Sequence, residues 1–301
     1  MNMPASFETI VRNVTQCEKK TVVVAAATEE DILIATTQAK KHNLARFVYV
    51  GDFKQIQHLA WKHRLNLSGI EILDESEPGQ AVRTALNLIK RGDAQILMKG
   101  KVGTGHLLGT MLKDDDLKKQ QPDQFLSHVS IFIWENRWKI FSDPALTILP
   151  DVKQKRRIAL NAIGIARQLG IATPRVAFLS ATEKPTAKMP SSTEAAELAG
   201  MQWDDAIAGG PLAFDGALFE KAYQIKGVPS PVEGKADILI SPNIETANTL
   251  YKTLSWMFQI DIAGVITGGA IPCILTSRAD SARVKFLSIA MTIYLSTCRE
   301  Q

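Results

Sequence analysis

Residues 21–52, TVVVAAATEEDILIATTQAKKHNLARFVYVGD, decide the fold. TVVVAAA (21–27) reads as a strand, EEDILIATTQAKKHN (29–43) as a helix and RFVYVGD (46–52) as a second strand. That succession is a βαβ unit, in which a crossover helix carries the chain back so that the two strands run parallel. The rhythm continues through GIEILD (69–74), a helix over AVRTALNLIKRGD (81–93), the buried-looking strand AQILMKG (94–100) and a helix beginning near Gly105. The first half is therefore expected to be α/β with a largely parallel sheet.

Two apolar runs in VSIFIWENRWKIF (129–141) flank Glu135, Asn136 and Arg137, as in a β-hairpin, so an antiparallel insertion is expected there. After Pro150 the α/β pattern resumes with a helix over 151–169 and the strand RVAFLSA (175–181). ADILISP (236–242), a helix over 244–257 and AGVITGG (263–269) complete it. TEKPTAKMPSST (182–193) reads as one long irregular loop, a length that is usually functional or mobile. Trp256 is expected in the core. An apolar helix such as TLYKTLSWMF (249–258) otherwise needs a partner surface, and a homo-oligomer, dimer or higher, is expected.

At 301 residues the chain exceeds the size at which one core stops growing, so two lobes are expected. With 46% apolar and 22% charged residues and no apolar run near the ~20 residues that span a bilayer, it reads as a globular, non-membrane protein. The first twenty residues carry Glu8 and scattered polar groups where a signal peptide needs an apolar stretch, so the expected location is the cytoplasm. Cys17, Cys273 and Cys298 form no CxxC pair and are read as reduced thiols. The five histidines show no metal-ligand spacing, and no metal is expected. A net charge of +4 suits an anionic small molecule and is too small and too evenly spread for nucleic acid. The basic run KQKRR (153–157) reads as a solvated helix face.

The most informative segment for function is ILTSRADSARVKFLSIAMTIYLS (274–296), read as a strand end passing directly into an amphipathic helix. A helix N-terminus offers unpaired N–H groups and about half a positive charge, and Thr276, Ser277 and Arg278 add two hydroxyls and a guanidinium. Arg278 in a first turn would oppose the helix dipole, a broken local rule that a bound oxyanion explains. Ser277 and Asp280 fit a capping box, which alone accounts for Asp280. Arg283 and Lys285 are placed off the apolar stripe. A second strand-to-helix junction, LMKGKVGTGHLL (97–108), sets Gly100, Gly103 and Gly105 around Thr104. Lys99 there pairs either with a phosphate or with Asp93 or Glu71.

With these residues in view, the chain resembles the phosphate acetyltransferase and phosphate butyryltransferase family, its butyryl branch most closely. LMKGKVGTGHLL, FSDPALTILPD (141–151), KMPSSTEAAEL (188–198), GPLAFD (210–215), SPVEGKADILISPNIETANTLYK (230–252) and LTSRADS (275–281) are similar to its successive blocks. The resemblance implies two α/β lobes with mostly parallel sheets and an active-site cleft between them, here residues 1–143 plus 266–301 and residues 144–265. It implies reversible acyl transfer between coenzyme A and inorganic phosphate, both as substrates, with no permanently bound cofactor and no nucleic-acid or membrane partner. Ser277 and Arg278 match the pair that steadies the reacting centre and the phosphate. Lys99, Gly100, Thr104, Thr276, Pro211 and Asp215 are the implied substrate-binding residues. Two departures stand out. Val284 occupies about the place of the acetyl branch's aspartate base, leaving Asp280 as a surrogate, and Gly209 stands where relatives often carry an acid. Butyryl transfer is the expected activity; acetyl transfer and silent acyl-CoA binding are the alternatives.

Overall fold

The computed structural model of the chain describes residues 6–297, so Cys298 lies outside the described residues. Phe7–Thr15 (α1) leads into Thr21–Ala25 (β1), Glu30–Lys41 (α2) and Arg46–Gly51 (β2), and β1 pairs with β2 in parallel from Thr21 opposite Arg46 to Ala25 opposite Val50. This is the βαβ unit read from residues 21–52. Phe53–Lys62 (α3), Glu71–Asp74 (β3), Pro78–Arg91 (α4), Ile96–Lys99 (β4), Thr104–Lys113 (α5) and Asp115–Gln120 (α6) follow. Next come Ser127–Trp134 (β5) and Arg137–Ser142 (β6), then Val152–Gln168 (α7), Arg175–Leu179 (β7), Pro190–Ala199 (α8) and Ile207–Leu212 (β8). Phe214–Leu218 (α9), Glu220–Lys226 (α10), Ile238–Ile240 (β9) and Ile244–Lys252 (α11) lead to a π-helical turn, Thr253–Met257. Ile262–Thr267 (β10), Cys273–Ile274 (β11) and Ala282–Thr297 (α12) close the described chain. Among the described residues no helix is long and apolar enough to cross a membrane.

The chain divides into two compact units. One combines Phe7–Gln124 with the segment from Asp261 onward, and its strands run in the order β3-β2-β1-β4-β11-β10, parallel except for β10 against β11. The other contains Phe125–Ile260 with the order β5-β6-β9-β7-β8, parallel except for the hairpin β5-β6. The division differs from the boundaries expected at 143 and 265. Strand β6 pairs in parallel with β9, Ile140 opposite Ile238, and buried Lys139 donates to the Ala236 carbonyl. These bonds tie the hairpin to the unit containing residues 144–260. Its turn is formed by Glu135 and Asn136, both at positive φ, the geometry that two-residue hairpins require.

Four local expectations change. Helix α12 is not amphipathic: Val284 through Leu295 are all buried, Lys285 included, and the helix packs on α1, α2, β10 and β11. A helix apolar on every side belongs inside. The irregular stretch ends at Met189, because Pro190 at the first helical position starts α8 and Ser192 closes its first turn by donating to the Met189 carbonyl. In the run 153–157, Lys155 turns inward to pair with Glu194 while Lys153, Arg156 and Arg157 stay exposed. Trp256 is 59% exposed, with Met257 and Phe258 beside it also exposed, because the π-helical turn swings them out.

Gly100 fixes how closely the ends of β1 and β4 approach. A Cβ there would lie 2.1 Å from the Ala26 carbonyl oxygen and 2.5 Å from that of Ala25, both backbone atoms. Gly100→Ala is expected to destabilise the protein by about 3 kcal/mol or to prevent folding. Urea unfolding of the variant against wild type measures this.

Candidate active site

Strands β1, β4 and β11 run parallel and end together, Ala25 in register with Lys99 and Ile274 with Met98. Ligands of open α/β sheets bind beyond such carboxyl ends. Three loops therefore meet at one edge: residues 26–29, 99–103 and 275–281. The first two interlock, with the Gly100 N–H donating to Ala25 O at 2.8 Å, Lys101 N–H to Ala26 O at 2.7 Å and Thr28 N–H to Ala26 O at 2.8 Å. Ala26 takes φ +58° to make this turn.

The third loop departs from its expected form. Helix α12 starts at Ala282, where Ser281 caps it by accepting from Val284 N–H at 3.3 Å. Ser277 and Arg278 precede the helix, so Arg278 does not oppose its dipole from the first turn, contrary to the expectation from sequence. Ser277 and Asp280 still bond reciprocally, but within the loop: Asp280 Oδ2 accepts from Ser277 N–H at 2.7 Å, and Asp280 N–H donates to Ser277 O at 3.1 Å. Thr276 and Asp280 are buried, Ser277 half-buried and Arg278 exposed.

The sequence reading missed Lys285 and Glu29. Lys285 is wholly buried, and its Nζ donates to the carbonyls of Ser277 at 3.2 Å, Arg278 at 3.4 Å and Asp280 at a shorter distance. It also lies 3.1 Å from Glu29 Oε1, an ion pair without hydrogen-bond geometry, since both Glu29 oxygens lack a hydrogen-bond partner. Glu29 precedes α2 without capping it, its side chain being turned to the lysine. The available signal was the position of Lys285 in a helix with no polar face to receive it.

Lys99 is 4% exposed and donates to Gly100 O at 3.2 Å and Val102 O at 3.4 Å, in place of the Asp93 or Glu71 pairing considered from sequence. Burial lowers its pKa, Glu29 opposes that shift, and Arg278 and Lys285 reinforce it. Three cations thus gather here with two carboxylates, Glu29 and the buried Asp280. An anion is the natural complement, for which charge-assisted bonds contribute about 1.5–3 kcal/mol each.

Thr104 opens α5 beside the same edge, half-buried, and a Cβ on Gly103 or Gly105 would meet no atom within 4 Å. Of the three glycines, the protein's own packing demands only Gly100. Pro211 and Asp215 belong to the other unit. Pro211 is buried on β8, while exposed Asp215 pairs with Lys226 at 2.5 Å, and this bond holds its carboxyl below the usual range. Lys226 also binds Glu183 at 2.6 Å. A side chain on Gly209 would meet Ser230 Oγ at 2.5 Å and Val232 Cγ2 at 2.8 Å, so an acid fits there only if those side chains move. In the 141–151 block, buried Asp143 brackets its own turn, accepting from Ala145 and Leu146 N–H at 3.0 Å each. Among the described residues no group of three His, Cys, Asp or Glu side chains is placed to hold a metal ion.

The family described as Phosphate acetyl/butaryl transferase matches residues 6–80 and 78–293. A phosphate butyryltransferase of Clostridium acetobutylicum is 38% identical over 296 residues, covering 96% of this chain and 97% of that protein. A phosphate acetyltransferase of Rhizobium meliloti is 35% identical over 294 residues, covering 96% and 92%. The crystal structure of a branched-chain phosphotransacylase from Enterococcus faecalis V583 superposes with a TM-score of 0.80 at 31% identity, covering 92% of this chain and 98% of that one.

Cys273 lies on β11 directly behind the site, and burial pushes its thiol up to about 12. A thiol with that pKa is about one part in ten thousand thiolate at pH 8. Iodoacetamide at pH 8 is therefore expected to leave Cys273 unmodified in the native protein and to label half-buried Cys17 in preference to it. Peptide mass mapping before and after unfolding measures both.

Proposed function

The chain is an acyltransferase of the phosphate acetyl/butyryl transferase family, and on that premise we propose that it moves a butyryl group reversibly between coenzyme A and inorganic phosphate. The observation that carries the site assignment is the charge cluster around Lys99, with Arg278, Lys285 and Glu29 acting on it, where β1, β4 and β11 end. Arg278, exposed on the loop, and Lys99 hold the phosphate. The Ser277 hydroxyl donates to the reacting carbonyl or thiol. Thr104, Thr276 and the Gly100 backbone line the same edge, and Pro211 and Asp215 are the substrate-binding residues of the second unit. The greater identity to a protein named for butyryl transfer supports the choice of acyl group.

Towards acyl phosphate, a phosphate oxygen attacks the thioester carbonyl, negative charge develops on the carbonyl oxygen, and the C–S bond breaks to release the CoA thiolate. In reverse, a thiol with a pKa of about 8.5 is about 3% thiolate at pH 7, so complete deprotonation raises the reactive population only about 30-fold. Orientation supplies more, with effective molarities of about 10⁵ M or above. Catalysis therefore depends chiefly on clamping the phosphate beside the thioester. Asp280, whose carboxylate receives the Ser277 N–H, acts by shaping the loop.

Arg278→Ala is accordingly expected to lower turnover about 100-fold, from two lost charge-assisted bonds, and Asp280→Asn less than about tenfold because the amide oxygen still accepts. Steady-state rates decide the order, and a larger loss for Asp280→Asn reverses it. Phosphate-dependent thiol release across an acyl-CoA panel tests the activity. Fastest release from butyryl-CoA supports the proposal, fastest release from acetyl-CoA makes the chain an acetyltransferase, and CoA binding without turnover makes it a silent binder. The exposed Trp256, Met257 and Phe258 support the homo-oligomer. Light scattering is expected to give at least twice the 33.0 kDa chain mass, and Trp256→Glu to reduce it.

A further inference from the structure

On helix α12 the polar residues among the buried ones are Lys285, Ser288 and Thr292, a narrow stripe at i, i+3 and i+7. Ser288 is satisfied locally, donating to Val284 O at 2.8 Å and accepting from Gly264 N–H at 2.9 Å. Lys285 does something else. A buried ammonium costs several kcal/mol in lost hydration, and an apolar side chain of similar length would fill the same space without that cost. What the ammonium does with its donors shows why the position is charged: it gathers the carbonyls of Ser277, Arg278 and Asp280.

In a trans peptide the carbonyl of one residue and the N–H of the next point in opposite directions. Carbonyls drawn inward onto Lys285 Nζ therefore turn the N–H groups of Arg278, Ala279 and Ser281 to the far side of the loop. Asp280 Oδ2 takes the Ser277 N–H, and Ser277 Oγ lies 3.4 Å from that of Ala279. The Arg278 and Ser281 N–H groups are the donors this arc presents, and backbone N–H groups aimed one way form an anion-binding nest. We propose that Lys285 is a positioning residue that orients residues 277–281 as the phosphate-receiving backbone, with Glu29 as its counter-charge. Lys285 acts from beneath the loop and makes no contact with phosphate itself. With Lys99 and Arg278, three cations stand against the carboxylates of Glu29 and Asp280, a net positive charge that favours an anion. The inference rests on assigning the 275–281 loop to phosphate.

The test pairs a variant with a measurement that needs none. Lys285→Met/Glu29→Gln removes both members of the buried ion pair together, so neither is left without the other, and Lys99 keeps its bonds to the Gly100 and Val102 carbonyls. It is expected to melt cooperatively, to raise the KM for inorganic phosphate at least tenfold and to change the KM for butyryl-CoA less than twofold. A merely structural pair would shift melting without that split, and a folded variant with the wild-type phosphate KM overturns the proposal. In the wild-type enzyme, hydrogen exchange with mass spectrometry is expected to show saturating phosphate protecting the amides of residues 275–284. Wild-type enzyme that turns over with phosphate yet shows no such protection also overturns it. A wild-type chain without phosphate-dependent thiol release strikes the assigned function instead, so the two failures are distinguishable.

Discussion

Everything at the candidate site depends on one close approach of backbone to backbone, where the peptide after Lys99 passes against the carbonyls that end β1. Gly100 allows it by having no Cβ, and the N–H groups of Gly100 and Lys101 complete it by bonding to Ala25 and Ala26. That contact keeps the Lys99 ammonium buried at the strand end and orders the turn that leads to Glu29. β11 lies in register on the opposite side of β4 and delivers the 275–281 loop to the same edge. Loosening the contact would separate the cations without touching any of them.

The electrostatics of that edge are unbalanced. Lys99 loses hydration and feels two further cations, with Glu29 as the opposing charge in its surroundings. Charges assembled in this way oppose folding and are stored for binding, because an arriving dianion recovers what burial cost. The same logic separates the two units. In the other, Asp215, Lys226 and Glu183 are paired among themselves, and buried Lys155 has Glu194.

The sequence made the architecture legible wherever pattern and element length agreed. The βαβ unit of residues 21–52 and the hairpin around Glu135 and Asn136 are both present, because runs of four to eight apolar residues bounded by turn residues leave few alternatives. Ser277, Arg278, Lys99 and Thr104 were legible as residues beside strand ends. What escaped was any feature decided by depth. Lys285 was read as surface because lysine usually is, and its burial depends on α1, α2 and two strands enclosing α12. Trp256 failed in the opposite direction, since a π-helical turn changes the angular position of every residue after it and no periodicity argument registers the shift. The expected start of α12 differs from the observed one by four residues for a related reason: an apolar strand end and a helix are joined by a loop whose carbonyls are gathered by a lysine further along the chain.

The order of assembly has a consequence for synthesis. The unit that carries the cation cluster is made from the first part of the chain and the last, with β4 paired on one side by β1 and on the other by β11. Between Gln124 and Cys273 the ribosome adds about 150 residues, which at about 5–20 residues per second takes roughly 7–30 s. Throughout that interval β4 presents an open edge, and the apolar faces later covered by α12 face water. An unpaired parallel edge of that kind invites pairing with other chains, and residues 273–297 remove it by adding β11 beside β4 and laying α12 over the apolar face.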